Sequence, residues 1–362
     1  MPPGRRRYFN KIMGVARGCL SLISYLPMYS GVNIESSAIC NLRCRMCPTT
    51  NFPQQARKGY LNVKTFELVR PFLEGLPEGA VDLTGWGEPL MNPYLPVIIE
   101  NLPGVTFTTN GHFMDSRWAE RLVRCRVGAV AFSIDAAGEE TYVAIHGRGD
   151  FAVVWQNVAG LRKARDFVGA RFPFISVHFL MMKLNLKELP DFIDRAAEAG
   201  ADEVVTKHIA LFARQGQEHE ALFSGYFSNT RPDEAFRDEI LRKTGERAKE
   251  RGIAFRLIGS NIARPVAGCF GGALDRPFIT IDGSVAPCCV LAHEIPRLTP
   301  SGEPSPAPML FFGNLRKETL KDIWQLKEYK SFRDAIKSGN PPPQCRYCLG
   351  AWSVTVDIGK LD

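Results

Sequence analysis

Cysteine is scarce in this sequence, with ten in 362 residues, and they are grouped in motifs. That usage excludes the disulfide framework of a small secreted scaffold and points to a reducing compartment, the cytosol. Long apolar runs are missing too. The nearest, residues 12–27, is interrupted by Arg17, is too short for a membrane span and is followed by no clean small-residue cleavage site. Excess charge is confined to one end. The formal charge is +7, and Arg5, Arg6, Arg7, Lys11 and Arg17 all precede the first acid, Glu35, which leaves about +2 (7 − 5) for the rest. A body so nearly neutral does not suggest nucleic-acid binding. No repeat of about 20 to 50 residues stands out.

What is present is an ordinary globular composition, 45% hydrophobic and 23% charged, at a length that suggests two units. Residues 1–30 form a basic amphipathic segment. Residues 1–28 either lie on an anionic membrane surface, as a peripheral contact at its inner face, or pack as a helix on the outside of the body. Cys19 and Cys125 read as packing residues.

The most informative feature is Cys40-Asn-Leu-Arg-Cys44-Arg-Met-Cys47, a C-x3-C-x2-C loop. Three thiolates hold three irons of a [4Fe-4S] cube and leave the fourth open, whereas a closed electron-transfer cluster takes four. An open iron implies a bound substrate or cofactor. Zinc is the competing metal, but zinc loops favour paired C-x2-C units, and three-then-two is not that spacing. A second set, Cys269, Cys288, Cys345 and Cys348, suffices to close one cluster, with an all-cysteine zinc site as the alternative.

From residue 31, short β-rich runs alternate with helical patterns, which argues for parallel strands joined by crossover helices. Strands are expected near 32–36, 81–84, 105–109, 129–134, 174–181 and 203–208, with helices near 63–76, 116–127, 151–167 and 186–199. Further helices are expected over 234–251 and 320–336, with loops over 215–234 and 296–308. Six β/α units fit a partial barrel, whose reactive groups gather at the carboxyl ends of the strands. The cysteine loop, Gly85 to Pro89, Asn110, and Ser133 with Asp135 all fall there. Ser176 and His178 share one face of their strand, and with Lys207 or His208 they are candidates for substrate contact if that face is the lumen. A packed core histidine is the plain alternative.

Taken in chain order, Cys40, Cys44 and Cys47, Leu83-Thr-Gly85-Trp-Gly87-Glu88-Pro89-Leu, Thr108-Thr109-Asn110-Gly111 and Phe132-Ser133-Ile-Asp135 resemble the radical S-adenosylmethionine (radical SAM) superfamily. The resemblance implies that the open iron is chelated by S-adenosylmethionine and that a 5'-deoxyadenosyl radical takes a hydrogen atom from an unactivated carbon. It implies cofactor contacts from the backbone at Gly85 and Gly87 with Glu88 nearby, and from Asn110, Ser133, Asp135 and Arg148. Asp135 is alternatively the cap of the helix near Glu139, and Arg148 a partner for a surface acid. Many relatives carry an aromatic residue before the third cysteine; Met46 stands there, and its thioether can pack on the adenine.

The C-terminal cysteines, with Gly283, Pro287-Cys288-Cys289 and Gly313-Asn314-Leu315, resemble the twitch form of the SPASM extension, which implies one auxiliary [4Fe-4S] cluster serving as electron acceptor or shaping the site. Cys289 is then either a hydrogen-atom donor or a packed neighbour. The expected class is α/β: a partial (β/α)6 barrel at 31–235, a connecting helix and strand at 236–265, and a small α+β iron-sulfur domain at 266–362. The expected reaction is oxidation or epimerisation of a small polar or sugar-like molecule, with a flavodoxin or ferredoxin as electron donor and no nucleic acid. The alternatives are peptide maturation, modification of a lipid or lipid-linked sugar, and a structural iron-sulfur or zinc protein.

Overall fold

The computed structural model describes residues 29–52, 58–209, 211–212, 214–222, 233–258, 269, 271–305, 308–345 and 348, with the backbone of 355–356. The basic segment 1–28, Cys19 and the end of the connecting segment lie outside the described residues. So do parts of the loops expected over 215–234 and 296–308.

Seven parallel strands form the centre of the fold: β1 Val32–Ile34, β2 Val81–Asp82, β3 Thr106–Thr109, β4 Ala129–Ser133, β5 Phe174–Met181, β6 Glu203–His208 and β7 Ala254–Ile258. They pair in chain order, each with the next. Alternation decides the faces. Val130, Phe132, Ile175, Val177, Phe179 and Val204 are fully buried in the main core cluster. On the opposite face stand Ala129, Ala131, Ser133 and His178, only half-buried. Because side chains alternate with period two, one strand carries an apolar face for the helices and a polar face for the concave side.

The helices start where short polar side chains can cap them. Asn62, Asp115, Asp150 and Asp233 each accept the backbone N–H three residues on, at 2.8–3.0 Å. Such caps satisfy donors that a helix start leaves free. The helices Phe151–Phe167 and Glu234–Arg251 fill the expected ranges. Others are shorter. The helix from Val63 ends at Val69 and passes into a 3-10 turn at Arg70–Phe72, because Pro71 lacks the N–H that an α-helix needs.

Three expectations are corrected, and one is extended. The connecting helix and strand expected at 236–265 are the helix Glu234–Arg251 and β7, and β7 adds a seventh parallel strand to the six of the expected barrel. The single helix expected at 320–336 is two, Leu320–Gln325 and Lys327–Lys337, broken at an extended Leu326. That break lets Trp324 meet Tyr329 edge-on at 4.9 Å, with the Arg333 guanidinium over both rings. The loop expected over 215–234 holds a 3-10 turn, Gln217–Glu220. The excursion expected at 296–308 contains an antiparallel pair, β10 Arg297–Leu298 and β11 Pro304–Ser305.

Apart from the β10–β11 pair, the described strands of the C-terminal region join the main sheet. Strand β8 (Phe278–Ile279) pairs in parallel with β1, β9 (Ser284–Ala286) pairs with β8, and β12 (Gly313–Asn314) pairs with β9. At the other edge β13 (Thr355–Val356) pairs with β7. One eleven-stranded sheet results.

Candidate functional site

The cysteine loop leaves β1 and is tied down by backbone bonds. Cys47 N–H donates to Cys44 O at 3.0 Å, Arg45 N–H to Ile145 O at 2.8 Å and Arg43 N–H to His146 O at 3.3 Å. Each sulfur has a polar neighbour. Cys40 Sγ lies 3.4 Å from Leu42 N and 3.7 Å from Asn110 Nδ2. Cys44 Sγ lies 3.1 Å from His146 Nδ1, and Cys47 Sγ lies 3.0 Å from the Thr49 hydroxyl. Burial, together with the neighbouring sulfurs, pushes the Cys40 and Cys44 thiols up. Such thiols ionise when a cation draws off their charge, which fits a metal cluster.

Gly85 and Gly87 follow β2. A Cβ on Gly87 would stand 2.4 Å from both N and O of Ile39, and one on Gly85 would stand 2.8 Å from Ser37 O. Close approach is therefore required, but to the chain's own backbone just ahead of Cys40. Gly87 N–H donates to Ser37 O and Glu88 N–H to Ile39 O, both at 2.8 Å. Glu88 is buried, and its carboxylate turns inward. Oε1 accepts the Thr109 hydroxyl at 2.6 Å and Leu90 N–H at 3.0 Å, and Oε2 accepts Asn110 N–H at 2.7 Å. Burial outweighs these bonds and pushes the carboxyl up to about 7. Asn110, thus held, donates from Nδ2 to Asn41 Oδ1 at 2.8 Å.

At the end of β4, the Ser133 hydroxyl donates to Asp135 Oδ2 at 3.1 Å, and Leu180 N–H donates to Asp135 Oδ1 at 2.7 Å. Asp135 adopts φ +62°, a conformation that Asp tolerates better than bulky residues. It is not a helix cap. The helix Glu139–His146 is capped by Gly138, while Glu188 Oε2 accepts the N–H groups of Ala137 and Gly138. Met46 packs against the core. Arg148 is exposed and has no ion pair among the described residues.

Cys269, Cys288, Cys345 and Cys348 line one small cavity. Burial and the neighbouring sulfurs raise Cys288 far above the ordinary thiol range and push Cys345 up to about 12. Four soft donors around one space fit an iron-sulfur cube. Cys289 lies outside that lining. It packs against Phe278, Ala286 and Ala292, and its carbonyl accepts the Trp86 indole N–H at 2.8 Å.

Sequence reasoning missed three residues that the fold brings in. His146 reaches Cys44 from 102 positions away, and its Nε2–H donates to Ile134 O at 2.8 Å. Glu35 Oε1 accepts from His293 Nε2 at 3.0 Å across 258 positions, and it also faces Trp86 N–H. The only advance signal was position, since Glu35 precedes Cys40 by five residues and His293 follows Cys288 by five. Of the paired alternatives, Lys207 shares the concave face with His178, whereas His208 turns away and bonds Ile209 O.

Residues 34–196 match the radical SAM superfamily, and residues 269–349 match the SPASM iron-sulfur cluster-binding domain. The chain belongs to the radical SAM superfamily, with a SPASM domain after its parallel-stranded core, and it is an enzyme. It is 24% identical over 320 residues to the tungsten-containing aldehyde ferredoxin oxidoreductase cofactor-modifying protein of Pyrococcus furiosus, covering 87% of this chain and 86% of that one. It is 24% identical over 343 residues to the AdoMet-dependent heme synthase of Methanosarcina barkeri, covering 87% and 89%. In fold it is similar to Streptococcus suis SuiB bound to S-adenosylmethionine, with a TM-score of 0.62 at 15% identity over 85% of this chain and 68% of that one. A [4Fe-4S] cluster with S-adenosylmethionine, and auxiliary iron-sulfur, are the cofactors that these domains imply.

Proposed function

We propose that this radical SAM enzyme removes a hydrogen atom from a small polar or sugar-like metabolite, in an oxidation or an epimerisation. When bound, the cluster and S-adenosylmethionine supply a 5'-deoxyadenosyl radical. Cys40, Cys44 and Cys47 would hold that cluster, and Cys269, Cys288, Cys345 and Cys348 one auxiliary [4Fe-4S] cluster. Met46, Asn110, Ser133 and the backbone at Gly85 and Gly87 would bind S-adenosylmethionine. Glu88 and Asp135 would act through Asn110 and Ser133, which they hold by hydrogen bonds. Cys289 keeps the packing role its surroundings favour. Thiolate ligands persist in a reducing compartment, so the cytoplasm is the proposed location. Among the described residues no helix is long and apolar enough to cross a membrane.

The observation that carries the substrate reading is the concave face of the sheet. It presents Asp82, Thr84, Thr106, Ser133, His178 and Lys207, all half-buried, with Ser133, His178 and Lys207 toward the carboxyl ends of their strands. A polar concave wall suits a ligand rich in oxygen. The test is anaerobic. The reconstituted full chain should hold about eight irons, four per cluster, and should form 5'-deoxyadenosine with dithionite, or with reduced flavodoxin or ferredoxin. A panel of deuterated polyols, sugars, peptides and lipid-linked sugars is then offered. Deuterium appearing in 5'-deoxyadenosine from a polyol or sugar supports the reading; transfer from peptides alone overturns it.

A further inference from the structure

Lys207 occupies a place that ordinarily calls for a carboxylate partner. It stands half-buried on the concave face, with Nζ 3.1 Å from His178 Nδ1. Four charged groups act on it: Asp82 from β2, Asp135 from the end of β4, Glu203 from its own strand and Arg256 from β7. The carboxylates among them have other partners. Asp82 accepts from the Thr106 hydroxyl and from Thr84 N–H, both at 2.8 Å. Asp135 accepts from Leu180 and Ser133. Glu203 pairs with Arg256 at 2.9 Å. None is an ion-pair partner of Lys207 among the described residues. A cation withdrawn from water with no anion in direct contact is costly, and a ligand that supplies that contact relieves the cost.

The partner of that lysine sharpens the point. An ammonium has only donors, so His178 Nδ1 must accept and the ring hydrogen sits on Nε2. Burial, then the charges of Lys207 and Arg256, hold His178 well below its ordinary range, so the ring is neutral. The pair therefore offers the remaining ammonium hydrogens and one imidazole N–H, with no acceptor of its own left over. His178 is the register partner of Ser133, one strand from the serine proposed to contact the cofactor.

We infer that Lys207 and His178 form an oxyanion-binding subsite in the lumen, which takes a carboxylate or phosphate group of the substrate. The inference rests on the proposed function only in treating the concave face as the substrate's place. It narrows the substrate to polar molecules that carry an anionic oxygen group.

The test needs no turnover. The reconstituted full chain is treated anaerobically near pH 7.5 with formaldehyde and a mild borane reductant, and methylated lysines are mapped by mass spectrometry. Inorganic phosphate, acetate or chloride is added at matched ionic strength. Burial pushes the Lys207 ammonium down to about 8, so it should label more than exposed Lys64, and an oxyanion should suppress that label at least about fivefold, since an adjacent anion favours the charged amine. Protection by phosphate alone assigns a phosphate ester, by acetate alone a carboxylate, and by both a site for either. Protection by neither, or equal protection by chloride, overturns the subsite. Because 5'-deoxyadenosine formation is measured separately, loss of the radical reading and loss of the subsite are distinguishable.

Discussion

Glu88 braces the candidate site from inside the core. Its carboxylate fixes the Asn110 backbone from inside the core, and burial pushes its pKa from 4.5 up to about 7. The folded chain keeps that proton up to about pH 7, whereas an unfolded glutamate releases it near 4.5. Between those limits the folded state binds more protons, so the contribution of Glu88 to stability falls as pH rises. Glu88→Gln is neutral throughout. Its melting temperature relative to the parent should therefore climb between pH 5 and pH 8, by the equivalent of at most about 3 kcal/mol. A difference that does not vary with pH would remove the buried proton. The sequence marked Glu88 as a candidate site residue, but its inward aim was not legible there. Gly87 is similar: the motif marked it, and only the fold showed that Ile39 backbone fills the space a Cβ would need.

At the scale of elements, the cysteine loop and the C-terminal cysteine cavity are separate donor sets. Replacing Cys40, Cys44 and Cys47 together by Ala should remove about four of about eight irons and abolish 5'-deoxyadenosine, while the auxiliary iron stays. Iron analysis and electron paramagnetic resonance of the reduced variant check this; an unchanged iron count would sink the assignment. The strands were readable because period-two alternation is local, and β5 and β6 have the expected bounds. Helix ends were less so. The break at Leu326 frees Trp324, Tyr329 and Arg333 to stack, a tertiary gain that no helical periodicity announces. The seventh strand had been expected only as a connection, since five residues with an exposed Ala254 carry little pattern.

Across the whole molecule, the barrel strands and the auxiliary region share one sheet and one buried seam. Glu35 and His293 are essentially inaccessible, their bond spans 258 positions, and the Trp86 ring lies 5.3 Å from His293 while its indole holds Cys289 O. His293→Ala leaves a buried carboxylate without its partner and should destabilise the protein by about 3 kcal/mol. Thermal unfolding checks the loss, and an unchanged midpoint would mean that the seam carries no energy. The sequence by itself determined the cysteine spacings, the strand alternation and the order of the motifs, because each depends on residues within a few positions. The tertiary structure alone decided that β8 lies beside β1, that His146 meets Cys44, and that Lys207 meets His178 and forms no ion pair among the described residues. Those neighbours are set by how the sheet closes and how helices pack upon it, and their separation along the chain leaves no local pattern to read.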